Sequence, residues 1–494
     1  MRRQELLRAS VCALLLGAAA ACSEDPEPKA RNFSREALLD PETCKECHAT
    51  HYDEWSGSMH AYAAEDPVFL AMNKRGQEET QGKLGDFCVR CHAPMALAEN
   101  ATTNGLNLPD LPKPLRGVTC YFCHNIERVD GTHNNPLVLA NDTVMRGAVR
   151  DPLANRTHAS AYSALVDREQ LESSSLCGAC HDLKVTSEFA PAEVHLERTY
   201  AEWQGTIFNQ TGPDGQRCGN CHMQGEQGVI ADYPGVGRRL RHAHDMPGVD
   251  VAVSDFPNIE AQRKAVQEFL DRTLRMEICV GRDLPQVRFL VDNALAGHHF
   301  PSGAGQDRRA WVEIGVYAGE ETLYESGFVA DAEDVTAQEA AGALVFRDRT
   351  FKADGTPAHM FWDVARVESN LISGTVSLDP THPDYFITHV YRTLPASGYF
   401  RRFPDRVSLR VRLRPIGVDV LDDLTASGHL PAELDVRGKM PVFTLAPARG
   451  AGAPWSNDLS IEWNTTSKGD ARYAFVTGLS GRPADCVATA AGRR

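Results

Sequence analysis

The sequence predicts an α + β protein whose two kinds of structure lie in separate domains: a mainly helical and loop domain, followed by an all-β, sandwich-like domain. Two observations support this fold class. The five-residue pattern Cys-x-x-Cys-His occurs five times, and every copy lies between residues 44 and 222. After Pro285 the apolar residues instead alternate with other residues, as in Val287, Phe289 and Val291, which is the period of a half-buried strand.

The repeated pattern is the attachment site of a c-type haem. Two thiols three residues apart each add to one vinyl group of the same porphyrin, and the histidine that follows binds the iron through a ring nitrogen. Half of a zinc site in each copy is the competing interpretation, but the paired Cys/His knuckle spacing is absent. We therefore predict five c-type haems, attached to Cys44, Cys47, Cys88, Cys91, Cys120, Cys123, Cys177, Cys180, Cys218 and Cys221. The predicted proximal iron ligands are His48, His92, His124, His181 and His222.

The N-terminus is typical of an export signal. Arg2, Arg3 and Arg8 precede a short apolar stretch, Val11–Ala21, which is too short to span a bilayer permanently. Cys22 follows directly, as at a bacterial lipoprotein cleavage site, and becomes the lipidated first residue in that interpretation; the alternative is plain secretion with cleavage near the alanines. Both routes lead to the periplasm. The lipoprotein interpretation predicts a periplasmic or outer-membrane-attached lipoprotein, and the cell surface is a further location consistent with it. A lipid anchor at Cys22 would give peripheral membrane attachment.

Length and charge limit the remaining function classes. A chain of 494 residues suggests more than one domain. The formal net charge of -15 argues against a nucleic-acid partner, which requires a basic face. We expect redox proteins as partners instead.

The domain prediction follows from these patterns. Residues 1–21 form a signal peptide of the lipoprotein type, 22–40 a tether, and 41–254 the pentahaem cytochrome domain. Residues 255–284 form a connecting helix, because apolar positions recur at helical spacing through Asn258–Val280. Further alternating runs and turn signals place the β-sandwich-like domain at 285–490. The segments from Tyr52 and from Tyr200 share the form Tyr-x-Glu-Trp-x-Gly, which indicates reused pieces without a regular repeat.

The sixth iron ligand decides the function. A second histidine closes the iron and makes an electron carrier, whereas an empty position leaves room for a substrate. The chain has 18 histidines, so candidates exceed demand. Those in or near the haem region are His51, His60, His133, His158, His195, His242, His244, His298 and His299. His51 is poorly placed, since a residue three after a proximal histidine cannot reach the other ring face.

The segment Cys44–His60 resembles the first haem segment of the tetrahaem cytochrome c that accepts electrons from hydroxylamine oxidoreductase. The next motifs follow in a similar order, and His244-Asp-Met-Pro-Gly248 and Gly297–Gly303 are similar to the HxFPG and GHxFPTG patterns of a broader multihaem family. The resemblance covers most of residues 41–320, and this chain adds a fifth haem and a β domain. It implies His60, His158, His244 and His298 as distal ligands. His195 is the fifth choice, from position only, and His133 and His242 are held in reserve. In the tetrahaem relative, one haem is five-coordinate.

Two assignments keep an alternative. His298 is either a distal ligand or a loop histidine held by the neighbouring proline and glycine. Cys279 and Cys486 are expected to form a disulfide, which an exported protein permits; two buried free thiols are the alternative.

Three functions are consistent with the sequence. The leading one is electron transfer through closely packed, mostly bis-histidine haems, with no catalytic residue. The second is a multihaem reductase or oxidase that acts on a small nitrogen or sulfur compound at one open haem. The third is a subunit of an extracellular cytochrome filament. The β domain is expected to cap the haem domain or to dock a partner.

Overall fold

The computed structural model describes residues 33–155, 157–212, 215–281 and 284–445, and the backbone of two further strands at 461–464 and 473–476. The predicted signal peptide, Cys22 and Cys486 lie outside the described residues, so the predictions made for them remain predictions. Within the described ranges, no helix is long and apolar enough to cross a membrane.

The first half of the chain consists of short helices and two-stranded sheets. Its helices are α1 (Arg35–Leu39), α2 (Pro41–Lys45), α3 (Ala49–Ser56), α4 (Met59–Tyr62), α5 (Pro67–Glu79), α6 (Val89–His92), α7 (Pro94–Ala98), α8 (Cys120–His124), α9 (Ser173–Gly178), α10 (Thr199–Gln204) and α11 (Cys218–His222). Its strands are β1 (Ile126–Val129), β2 (Leu137–Leu139), β3 (Val144–Gly147), β4 (Ala159–Tyr162), β5 (Leu183–Val185), β6 (Val194–Glu197), β7 (Gly225–Val229) and β8 (Arg238–His242). These strands form four separate pairs, β1–β2, β3–β4, β5–β6 and β7–β8. The strands of the β3–β4 pair are parallel, and those of the other three pairs are antiparallel.

Local capping explains several of these helices. Asp66 accepts a hydrogen bond from the backbone N–H of Val68, and Pro67 occupies the first helical position of α5. Ser34 caps α1 in the same manner. The residues Leu38 and Leu39 of α1 are buried against Tyr121 and Phe122, so this end of the predicted tether is part of the haem domain.

The connecting helix is shorter than predicted. Helix α12 (Ile259–Leu270) ends where the apolar period changes, and strand β9 (Leu274–Gly281) follows. Leu274, Met276 and Ile278 are buried at every second position, which is a strand pattern that overlaps the helical one. Pairing of β9 with β10 decides between the two, so the prediction of helix through Val280 is wrong after Leu270.

The second half of the chain is rich in strands. It contains β10 (Val287–Asn293), β11 (Arg309–Ala318), β12 (Glu321–Ser326), β13 (Val345–Phe346), β14 (Asp348–Phe351), β15 (Arg366–Ser369), β16 (His389–Leu394), β17 (Arg406–Arg414), β18 (Phe443–Leu445), β19 (Ile461–Asn464) and β20 (Tyr473–Val476). Its helices are α13 (Thr336–Ala340), α14 (Val418–Ala426) and α15 (Val436–Lys439).

Two sheets form the core of this region. One has the order β16-β10-β9-β20, and the other has the order β12-β11-β17-β18, with β13 on β11 and β19 on β17. Side chains from both sheets share one buried cluster, in which Phe289 and Val291 of the first sheet meet Ile314 and Leu409 of the second. This arrangement is consistent with the predicted sandwich.

The strand-rich region also covers the first half of the chain. Val68 and Ala71 of α5 lie in one buried cluster with Trp362 and with Leu421 of α14. The indole N–H of Trp362 donates to Glu79 at 2.7 Å. These contacts hold the β region against the helix that precedes the second Cys-x-x-Cys-His motif.

Candidate haem-binding site

Each Cys-x-x-Cys-His motif folds into about one helical turn. The backbone N–H of the histidine bonds to the carbonyl of the first cysteine, for example at 2.8 Å in the first motif and 3.0 Å in the fourth. This turn brings both thiols and the imidazole to one side, as attachment to a single porphyrin requires. None of the ten motif cysteines forms a disulfide bond.

Four of the five motif histidines are oriented by a backbone carbonyl. The ring atom Nδ1–H donates to that oxygen, which leaves Nε2 free to bind a metal. The acceptors are Ile230 for His48 at 2.7 Å, Ala63 for His92 at 2.9 Å, Arg146 for His124 at 2.5 Å and Pro247 for His222 at 2.8 Å.

Four of the five motif histidines, all except His92, face a second histidine at a nearly constant separation. The ring centroids lie 6.4 Å apart for His48 and His158, 6.4 Å for His124 and His244, 6.2 Å for His60 and His181, and 6.4 Å for His222 and His298. The ring planes cross at 67° in the pair of His60 and His181, and at 31° or less in the other three.

This separation fits one metal ion between two imidazoles. Metal–imidazole bonds of about 2 Å place the two nitrogens about 4 Å apart and the ring centroids about 6 Å apart. The donor set is therefore of the right kind and spacing for iron held by two histidines. The structure brings together all four distal residues that the resemblance implied.

The second motif differs from the other four. No imidazole faces His92, although all 18 histidines of the chain lie among the described residues. The ring of Phe69 stacks on His92 instead, with centroids 3.9 Å apart and planes 4° apart. Phe69 thus packs on one face of the His92 imidazole and fixes the orientation of that ring.

The fifth predicted distal ligand is not brought to a motif histidine. Hairpin β5–β6 holds His195 beside Asp182, with Nδ1 3.2 Å from Oδ1, and its ring lies 5.5 Å from that of His133. Of the reserves, His133 makes only this contact with another histidine ring, and His242 faces no motif histidine in the described part of the chain. The ring of His51, which the sequence predicts to be poorly placed as a ligand, lies edge on to that of His244, with centroids 4.8 Å apart.

The protein interior keeps these imidazoles neutral, which is the form that binds metals. Desolvation lowers the pKa of His60, His181 and His222 to about 4 each. It lowers the pKa of His244 to about 3.

Two parts of the site are built on the same plan. Cys120 of the third motif lies close enough to Cys44 of the first to lower its pKa, and Cys177 of the fourth motif has the same effect on Cys218 of the fifth. In each part a Tyr-x-Glu-Trp segment joins the two motifs. Trp55 donates its indole N–H to the carbonyl of Val118 at 2.8 Å, and Trp203 donates to that of Gln216 at 2.9 Å. Both acceptors lie two residues before the next motif.

The glutamate of each Tyr-x-Glu-Trp segment holds a distal histidine loop. Glu54 accepts a hydrogen bond from the backbone N–H of His244 at 3.0 Å. Glu202 accepts one from the N–H of His299 at 3.2 Å and another from the Ser302 hydroxyl at 2.6 Å. The sequence echo is therefore a repeated structural unit that spans two motifs and one distal loop.

A further contact joins the second motif to the fourth. Cys91 lies close enough to Cys180 to raise its pKa. Asn135 bridges the same two segments, because its side chain donates to the Arg90 carbonyl and its backbone N–H donates to the Ala179 carbonyl at 2.7 Å. The fourth motif thus adjoins both the second and the fifth.

Cys279 is disulfide-bonded, so the alternative of a free thiol at this position is wrong. Its partner is outside the described residues, as is Cys486, and the predicted pairing of the two remains a prediction.

The comparisons with known proteins find similarity to c-type cytochromes. Residues 43–125, which contain the first three motifs, match the family described as cytochrome c554 and c-prime. No curated protein matches the chain. The solved structure of a penta-haem cytochrome c552 from Thermochromatium tepidum is similar with a TM-score of 0.54 and 19% sequence identity, over 85% of this chain and 98% of that one. At this identity the likeness concerns the fold. Together with the family match, it supports a multihaem c-type cytochrome.

Proposed function

We propose that the chain is an exported pentahaem c-type cytochrome that transfers electrons between redox partner proteins. The observation that carries the proposal is the set of four histidine pairs at 6.2–6.4 Å, each joining a motif histidine to one elsewhere in the chain. Bound haem would supply one-electron chemistry between ferric and ferrous iron. The chain supplies the ligands, the orientation and the enclosure.

In this proposal the distal ligands are His158 for the first motif, His244 for the third, His60 for the fourth and His298 for the fifth. Two of these, His244 and His298, follow the last motif. The resemblance to the tetrahaem electron acceptor belongs to the same proposal, because that protein also receives electrons from a redox enzyme.

The contacts between motifs support a continuous electron path. Cysteines lie close enough to shift a partner's pKa between the first and third motifs, the fourth and fifth, and the second and fourth. Cys123 of the third motif lies close enough to Cys177 and Cys180 to affect their titration. The fourth motif therefore adjoins three others, and electrons arriving from the first and third motifs would have two onward directions.

A second function is favoured by the surroundings of His92. With no imidazole opposite, a haem at the second motif would keep one open coordination position, and a small nitrogen or sulfur compound could bind there. Arg308 and Asp250 form a partly buried ion pair at 2.7 and 2.8 Å. Desolvation lowers the pKa of His92, and Asp250 is close enough to oppose that lowering. This is the reductase or oxidase alternative.

Export, lipidation at Cys22 and location in the periplasm or at the outer membrane complete the proposal. They rest on the N-terminal sequence alone. Labelling with a radioactive fatty acid, compared between the native chain and Cys22→Ala, distinguishes lipidation from plain secretion.

Haem counting and spin state test the functional proposal. A pyridine haemochrome assay is expected to give five haems per chain. Low-temperature EPR is expected to show four low-spin haems and one high-spin haem that binds CO or cyanide. Five low-spin haems would contradict the open second site, and fewer than five haems would contradict the cofactor assignment.

Two matched substitutions test the ligand assignment. His298→Ala should convert one further haem to high spin, because it removes the imidazole that faces His222. His195→Ala should leave the spin state unchanged, because His195 faces Asp182. The reverse result would restore His195 as a ligand and remove His298.

A further inference from the structure

The eight histidines of the four facing pairs differ in what their Nδ1 atoms contact. In three pairs both rings donate to a backbone carbonyl. Besides the acceptors already given for His48, His124 and His222, these are Ala159 for His158 at 3.2 Å, His242 for His244 at 2.9 Å and His299 for His298 at 2.7 Å.

The pair of His60 and His181 has no such carbonyl. The Nδ1 of His60 lies 3.0 Å from the sulfur of Met246. The His181 side chain makes no hydrogen bond with any described residue. A thioether is a weak acceptor compared with a carbonyl oxygen, so both imidazoles of this pair lack a strong acceptor.

The backbone at Met246 makes this contact possible. Met246 has a positive φ of 43°, which is uncommon for a residue with a long side chain. The next residue, Pro247, turns its carbonyl to the Nδ1 of His222 at 2.8 Å. One short segment, from His244 to Pro247, therefore lies beside the motif histidines His124 and His222 and beside His60, which faces the fourth motif.

The repeated unit shows that this methionine is not simply filling a core. In the second copy Phe300 follows His298 at the same spacing as Met246 follows His244. Phe300 is 3% exposed and packs in the β-sheet core, whereas Met246 lies against His60. The two copies have diverged at this position.

A hydrogen bond from Nδ1 to a good acceptor increases the electron donation of an imidazole to its metal. Stronger donation favours ferric over ferrous iron and lowers the reduction potential. On the basis of the proposed function, we infer that Met246 acts as a tuning residue, which keeps the haem of the fourth motif at a higher potential than the other three bis-histidine haems. This haem would then be reduced before the other three bis-histidine haems, as its ferric iron accepts one electron from a one-electron donor and becomes ferrous with no bond broken and no proton transferred.

The position of the fourth motif gives its higher reduction potential a role in electron transfer. Its cysteines lie close enough to those of the second and fifth motifs for their pKa values to be raised by them, so the most easily reduced of the four bis-histidine haems lies where the path divides. An electron held there is one step from the open second site.

The native holoprotein gives the first test, because the crossed ring planes identify this haem. Imidazole planes at 67° give a low-spin EPR signal distinct from that of the pairs at 15–31°. In a potentiometric titration followed by EPR, the crossed-plane signal should disappear before the other three low-spin signals. Its loss after any of them would overturn the inference.

The variant test uses Met246→Gln, in which the amide oxygen can accept from His60. The ferric form of the fourth haem should gain about tenfold in its equilibrium with the ferrous form, a fall of about 59 mV for one electron. Met246→Leu should not lower this potential, since it adds no acceptor. Met145→Gln, at a half-buried methionine of β3, is the control and should leave the fourth haem unchanged.

An unchanged fourth haem in Met246→Gln, or an equal shift in Met145→Gln, would contradict the role of Met246. Failure of the proposed function would look different, because the native protein would then lack five haems or the low-spin signals themselves. If Met246→Gln does not fold, the order of reduction in the native protein still decides.

Discussion

Removal of the Glu202 carboxylate should loosen the loop that carries His298. Its side chain is 8% exposed, and one oxygen accepts hydrogen bonds from the His299 N–H and the Ser302 hydroxyl. Hydrogen bonds to a charged acceptor contribute about 1.5–3 kcal/mol each. Ser302 can still bond to Thr199, whose hydroxyl lies 2.7 Å away, so about 3 kcal/mol is a reasonable net loss for Glu202→Ala.

A loss of about 3 kcal/mol corresponds to a roughly 100-fold increase in the population of the open loop. The assay is the rate of CO binding to the reduced protein, with the high-spin EPR signal as the second measurement. In the native protein, the haem of the second motif should give a fast CO-binding phase because its position is open. In Glu202→Ala we expect a second phase, from the haem of the fifth motif, that is about 100-fold faster than CO binding to any bis-histidine haem of the native protein.

The control is Glu193→Ala. Glu193 is 55% exposed and pairs with Lys184 at 2.6 Å, and exposed pairs of this kind contribute at most about 1 kcal/mol. Equal CO kinetics in the two variants would refute the role assigned to Glu202, and so would a new phase in Glu193→Ala alone.

Two further predictions concern the surrounding structure. Burial raises the pKa of Asp348 from 3.8 to about 6, and its Oδ1 has no hydrogen-bond partner among the described residues. Between these two pH values the folded state therefore binds more protons than the unfolded state. The free energy of unfolding falls as pH rises through this window. The variant Asp348→Asn should not show this loss of stability with rising pH. It should be about 2–3 kcal/mol more stable than the native protein above pH ~6 and equally stable below pH ~4, as measured by denaturant unfolding. A stability difference that does not depend on pH would contradict the assignment. Gly178→Ala should disturb the fourth motif, since a Cβ atom there would lie 2.2 Å from the Tyr200 ring, whereas Gly219→Ala, at the same position of the fifth motif, meets only the Arg168 side chain at 3.2 Å. Thermal melting with haem counting should show a loss of about 1–3 kcal/mol for the first and little change for the second, and equal effects would contradict the packing argument.

The sequence predicts the haem-attachment residues because their chemistry is local. Two thiols and an imidazole must lie within five consecutive residues, so the pattern is complete without any knowledge of the fold. The β strands were predicted equally directly, since alternation in a run such as Val407–Leu413 follows from one buried face.

Other features could not be predicted because they depend on distant residues. Residues 274–280 fit both a helix and a strand, and only pairing with β10 decided. His195 was chosen by position, but its hairpin turned it to Asp182. The carbonyls that orient the imidazoles carry no sequence signal at all, because every residue has one.

The sequence alone determined the cofactor chemistry, the motif histidines and the repeated Tyr-x-Glu-Trp segments. The tertiary structure decided which distant histidine meets which motif, that His92 meets none, and that Met246 contacts His60. The physical reason is the range of each interaction. Covalent attachment is satisfied within one helical turn, whereas a distal ligand and the acceptor behind it come from segments that meet only when the chain has folded.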